Sequence, residues 1–102
     1  MWIRIGSFAV KPSEVERLKR TYNGVAVPKV RACDGNLACL LLEPAVAGEA
    51  FRVITIWETR AAADAYEASG SAAEIVSLVR DCFAGPPVLE SYQCESRGGL
   101  PS

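Results

Sequence analysis

Hydrophobic and polar positions alternate at the start of the chain. Trp2, Arg4, Gly6 and Phe8 share one face of a strand-like run to Val10, and Ile3, Ile5, Ser7 and Ala9 share the other. Neither face is cleanly polar. Lys11-Pro12 interrupts the run, and the period then changes. Val15, Leu18 and Tyr22 recur at helical spacing among Glu14, Arg17, Lys19 and Arg20, which predicts a helix over Glu14 to Tyr22. Ser13-Glu-Val-Glu16 has the form of a capping box, and Asn23-Gly24 that of a left-handed stop. The Lys19-Arg20 pair is read as a solvated face. Val25 to Ala32 is ambiguous, with a short extra turn beginning at Pro28.

Asp34-Gly35-Asn36 is a turn signal. Leu37 to Glu43 reads as a second strand, Pro44 to Glu49 as a small loop, and Phe51 to Trp57 as a third strand. Residues 37 to 57 therefore form a hairpin. Thr59 caps a helix carrying Ala61, Ala62, Ala63 and Tyr66, which ends near Ser69-Gly70. Ser71-Ala-Ala-Glu74 is a second capping box. After it, Ile75, Leu78, Val79, Cys82 and Phe83 form an amphipathic stripe. Gly85-Pro86-Pro87 ends that helix, Val88 to Glu95 is the last strand, and Arg97 to Ser102 is a mobile Gly/Pro/Ser tail.

The order is β-α-β-β-α-α-β. Short connections turn it into an α+β ferredoxin-like sandwich, a four-stranded antiparallel sheet with helices on one face. Residues 1 to 96 make one domain, and 97 to 102 the tail. Helices cover one side of a sheet only. The second strand carries Leu37, Cys39 and Leu41 on one face and Ala38, Leu40 and Leu42 on the other, and the third sets Phe51, Val53, Thr55 and Trp57 against Arg52, Ile54 and Ile56, so the sheet lacks a polar outer face. A second copy is the simplest cover, so a homodimer with face-to-face sheets is expected.

Composition agrees. Half of the 102 residues are hydrophobic, more than so short a chain readily buries. The formal net charge is -1 without a basic block, which disfavours nucleic acid as partner. No apolar run is long enough to span a membrane, and Met-Trp-Ile-Arg-Ile-Gly is unlike a signal peptide, so a cytoplasmic protein is expected. The four cysteines have no CxxC spacing and there is no histidine. They read as free thiols rather than a metal or disulfide framework. Cys82 falls on a helical core position, Cys39 and Cys94 in strands, and only Cys33 near solvent.

The order of elements, the Trp57-Glu-Thr-Arg60 junction and Gly85-Pro-Pro87 before the last strand resemble the antibiotic biosynthesis monooxygenase family of dimeric α/β barrels, over about residues 2 to 95. That family includes cofactor-independent oxygenases of polycyclic phenols and quinols, heme-degrading enzymes, and proteins without an assigned role. The resemblance implies a ligand site between sheet and helices of each protomer, with Trp57 where family members keep a tryptophan. Heme degraders place an asparagine in the first strand, where this chain has Ser7, and need a histidine that it lacks. The asparagine of the phenol oxygenases' third strand has no clear match in Phe51 to Thr55.

Without histidine, a general base must be a shifted carboxylate, a cysteine or a lysine. Asp64 and Glu67 lie near one another on the Ala-rich helix, where carboxylates are usually just solvated. No phosphate loop, hydrolytic triad or metal cluster appears. The candidate ligand-binding set is Trp57, Tyr66, Tyr22 and Phe83, with Phe8 beside it, although core filling is the commoner use of such side chains. Arg4, Arg31 and Arg80 could meet an acidic ligand group, but surface or interface roles are commoner. Two functions follow. One is a cofactor-independent monooxygenase-like protein acting on a small aromatic phenol or quinol, with no cofactor. The other is a non-enzymatic dimeric module that binds a small ligand or another protein.

Overall fold

The computed structural model describes residues 1–100. Its architecture follows from the alternation in the third strand. Phe51, Val53, Thr55 and Trp57 are all buried, and Arg52, Ile54 and Ile56 point the other way. That strand, β3 (Phe51–Trp57), pairs antiparallel with β1 (Trp2–Phe8) on one side and β2 (Asn36–Leu42) on the other. β4 (Val88–Gln93) pairs antiparallel with β1, giving the order β2-β3-β1-β4. The helices cover one side of this four-stranded sheet, the expected ferredoxin-like α+β fold.

Register aligns the side chains in rows. On the helix side, Arg4 stands opposite Thr55, and Gly6 stands between Val53 and Leu89. On the open side, Ile5 and Leu40 flank Ile54, and Ile3 stands opposite Ile56. Leu40 and Leu42 remain 46% and 41% exposed there. Ser7 pairs with Arg52 and Val88 on this open side.

The helical layer departs from the sequence reading first at Tyr22. A 3₁₀ turn (Pro12–Glu14) leads into α1 (Val15–Thr21), a π turn (Tyr22–Ala26) and α2 (Val27–Arg31). Asn23-Gly24 does not stop the helix, and Gly24 has no positive φ. The reason lies in the spacing of the buried residues Leu18, Tyr22, Ala26 and Val30. Steps of four overshoot an α-helical turn by about 40° each, so three steps would rotate the stripe off the sheet. The π turn, closed by Val27 N–H to Tyr22 C=O, holds extra residues per turn and undoes the drift. Pro28 then follows directly on the π turn, in the first turn of α2.

Neither capping box forms. No side chain caps Pro12–Glu14 or α1, and Ser13 lies inside the 3₁₀ turn. Gly70, at φ 86°, is the N-cap of α4 (Ser71–Val79), so Ser71 is already helical. Thr59 does cap α3 (Arg60–Ala68), its Oγ1 accepting from Ala62 N–H at 3.1 Å. Beyond α4, a 3₁₀ turn (Arg80–Cys82) breaks the helical period. Ile75, Val79 and Cys82 are buried as the stripe requires, and Leu78 is not, at 38% exposed.

All four cysteines are free thiols. Cys39 and Cys82 are buried. Cys94 lies just past β4 rather than within it, and is half-buried like Cys33, so Cys33 is not alone near solvent. Arg97 to Leu100 close a turn through a 2.9 Å backbone hydrogen bond, and the rest of the expected tail, 101 and 102, lies outside the described residues.

Two glycines test these turns. Gly35 has φ 79°, and an added Cβ would stand 2.6 Å from Ala62 Cβ. Gly35→Ala is expected to lower stability by about 2–4 kcal/mol, from left-handed strain plus overpacking. Gly24 faces open space in a helical turn. Gly24→Ala is expected to raise stability by about 0.5–1 kcal/mol, where a left-handed stop would give a loss. Urea unfolding of both variants checks the pair.

Candidate functional site

Between the sheet and the α3–α4 pair lies a cavity of about 340 Å³ that opens to solvent. Its floor is the helix-side rows of β1 and β3: Arg4, Gly6, Phe8, Val53 and Thr55, with Leu89 from β4. Gly6 makes the room, because a side chain there would rise into this space between its neighbours Arg4 and Phe8. An added Cβ would meet only Leu89 Cδ2, at 3.4 Å. The roof is small where α4 begins, with Ala72 and Ala73, and aliphatic further on, with Ile75, Val76 and Val79.

The aromatic candidates divide. Tyr22, Tyr66, Phe83 and Phe8 all line the cavity. Phe8 and Phe83 stack with ring centroids 4.5 Å apart. Trp57 does not line it. Trp57 is fully buried behind, and its indole packs 5.0 Å from the Tyr66 ring. Its N–H donates to Thr55 Oγ1 at 2.9 Å. Trp57 thus holds Thr55 and Tyr66, both of which reach the cavity.

Burial pushes both phenols, Tyr22 and Tyr66, well above the ordinary tyrosine range. Each keeps its proton at neutral pH and can donate a hydrogen bond. Among the described residues, neither hydroxyl is engaged by another side chain or backbone group. Burial also pushes the Cys39 thiol up to about 11, so it is not a thiolate near pH 7.

The charged lining is Arg4, Glu67 and Arg80. Arg4 is paired with Glu67 at 3.1 Å. Asp64 and Glu67 are both exposed, as helix-surface carboxylates usually are, but they point to different surroundings. Asp64 pairs with Arg60 at 3.6 Å, and Glu67 turns to the cavity. Glu67 was the first residue missed: its helix face is shown by the structure, where Ala63, four residues earlier, is fully buried. Thr55 was the second residue missed, a polar side chain on the buried face of β3. Arg31 is occupied elsewhere, donating to Asn36 O and Oδ1 at 2.8 Å each. Ser7 faces the open side of the sheet, away from the cavity. Among the described residues, no group of three or more His, Cys, Asp or Glu side chains could hold a metal ion, and no helix is long and apolar enough to cross a membrane.

Solved structures of the same fold are numerous. A Nitrosomonas europaea protein provisionally named an antibiotic biosynthesis monooxygenase is 22% identical, with a TM-score of 0.79 over 94% of this chain and all of that one. A Deinococcus radiodurans protein with the same provisional name is 15% identical, with a TM-score of 0.80 over 94% of each chain. A Bordetella bronchiseptica counterpart is 23% identical, with a TM-score of 0.78 over 91% of this chain and 95% of that one. Likeness at these identities is one of fold. No curated protein matches the sequence. The profile of the antibiotic biosynthesis monooxygenases matches residues 1–78, which takes in β1 to β3, α3 and most of α4 but stops short of Arg80, Phe83 and Leu89. This chain therefore belongs to the antibiotic biosynthesis monooxygenase family.

Proposed function

We propose that the protein is a cofactor-independent monooxygenase-like enzyme acting on a small aromatic phenol or quinol held between sheet and helices. The observation that carries this reading is the 340 Å³ cavity itself, walled by Tyr22, Tyr66, Phe8 and Phe83 with Glu67 in its lining. That volume is in the range of small-molecule sites, with apolar walls and a few polar groups. Trp57 acts as a positioning residue behind Tyr66 and Thr55.

Among the described residues Glu67 is the only carboxylate in the lining and no lysine lines it, and the Cys39 thiol is held protonated. Glu67 is therefore the group assigned to take the substrate's proton. Its Oε1 is ion-paired with Arg4 at 3.1 Å, and Oε2 is left to accept from a phenol. Tyr22 and Tyr66 donate to oxygen atoms of the bound molecule. For a phenol, the ring carbon para to the hydroxyl gains one atom of O2. The hydrogens of that C–H and of the hydroxyl leave with the other atom as water. The product is a quinone, and the substrate supplies all four electrons. Orientation and exclusion of water would provide most of the rate gain.

A homodimer through the open sheet face, in a cytoplasmic setting, belongs to the same reading. Its support is the row Leu40-Ile54-Ile5 beside Ile3 and Ile56, with Arg52 and Glu90 near the margins. Each such side chain taken fully from water contributes about 1.5–3 kcal/mol. Four unpaired thiols fit a reducing compartment.

The pairing of Glu67 with Arg4 favours one second reading, a non-enzymatic dimeric module that binds a small ligand without turnover. Oxygen consumption separates the two. With 1-naphthol and dihydroxynaphthalenes, and without added metal or flavin, O2 uptake is expected from the wild type. Ala73→Trp, at an exposed position over the cavity, is expected to lower kcat/KM at least tenfold while the protein stays folded. Gly6→Ala is expected to raise stability by about 0.5–1 kcal/mol, and Gly6→Val to act on turnover like Ala73→Trp. Binding without uptake would move the assignment to the module, and unchanged uptake in both filled variants would remove the chemistry from this cavity. Sedimentation equilibrium at micromolar concentration is expected to give a dimer that Ile54→Lys dissociates. A wild-type monomer would overturn that part.

A further inference from the structure

The three arginines that the sequence offered as anion contacts have separate situations. Arg31 is spent on Asn36, and Arg4 on Glu67. Arg80 lines the cavity, is exposed, and has no ion-pair or hydrogen-bond partner among the described residues. The charge of the lining is therefore unbalanced. Arg4 and Glu67 cancel, and one guanidinium remains at the solvent end. Asp81, the carboxylate next to Arg80 in the chain, is paired with Arg17 at 3.0 Å, and Arg17 is also held by Glu14.

We propose that the cavity takes an aromatic acid, with the ring system among Tyr22, Tyr66, Phe8 and Phe83 and the carboxylate at the mouth on Arg80. This deepens the ligand-site reading and rests on it, whether or not turnover follows. A guanidinium offers a planar fork of donors that fits a carboxylate bidentately. The placement follows from the chain's path: Arg80 directly follows Val79 at the end of α4 and opens the 3₁₀ turn that leads to Phe83, and both neighbours also line the cavity. The carbonyl end of α4 opposes an anion with about half a unit of charge, which the full charge of Arg80 outweighs. An acid bound this way keeps its charged group in contact with water, so the apolar cavity need not desolvate it.

Calorimetric titration with 2-naphthoate and 2-naphthamide tests the assignment, because the two probes share a ring and differ in charge. Wild-type protein is expected to bind naphthoate about fivefold to tenfold more tightly than naphthamide at low salt, with the preference shrinking as salt rises. Arg80→Gln is expected to make the two affinities equal by weakening naphthoate alone. Arg20→Gln removes the same unit of charge from an exposed position on α1 and is expected to keep the preference. Equal wild-type affinities, or a preference that survives in Arg80→Gln, would overturn the acid assignment and leave the cavity reading standing. No binding of either probe would overturn both.

Discussion

The hydrogen bond that satisfies the fully buried Trp57 indole organises the helix side of the sheet. Trp57 ends β3 with no exposed surface, and Thr55 stands two residues earlier on the same face. The period of a strand makes them neighbours, and the 2.9 Å bond from the indole to the Thr55 hydroxyl settles what would otherwise cost about 1–3 kcal/mol. One side of the indole is then fixed by the sheet, and Tyr66 packs against the ring from α3. With Trp57 in place, both polar groups it touches are held toward the empty space in front. The tryptophan acts on the cavity through Thr55 and Tyr66 rather than as part of its wall.

Much of the fold was legible because two periods are written plainly. The apolar run of Phe51 to Trp57 marked β3, and Thr59 marked the start of α3. The readings that failed were short local motifs competing with burial. Asn23-Gly24 favours a left-handed turn in isolation, yet Leu18, Tyr22, Ala26 and Val30 all bury when the helix continues through a π turn. Burying that stripe outweighs a turn preference. The capping boxes failed in the same way, with a 3₁₀ turn taking up Ser13 and Gly70 displacing Ser71 as the cap.

The site was legible in part. Aromatic type and spacing led to Tyr22, Tyr66 and Phe83, since large rings near element ends face the interior. Glu67 was dismissed because helix carboxylates are usually solvated. Its partner Arg4 sits on β1, far away in sequence, and only the fold brings the two to 3.1 Å. Small residues were the least readable. Gly6, Ala72 and Ala73 carry no chemistry, so nothing in their type marks them as the boundary of a cavity.

Gly6 has a consequence for how such a cavity can change over generations. Every glycine codon lies a single base change from an alanine codon and from a valine codon. Either change at this position adds volume to the cavity floor without strain in the strand, since the new Cβ meets one movable leucine methyl. The capacity of the cavity can therefore be changed at one codon, in either direction. Lineages that share the fold and the buried tryptophan can differ widely in the size of molecule they admit, so the fold is a poor guide to the ligand.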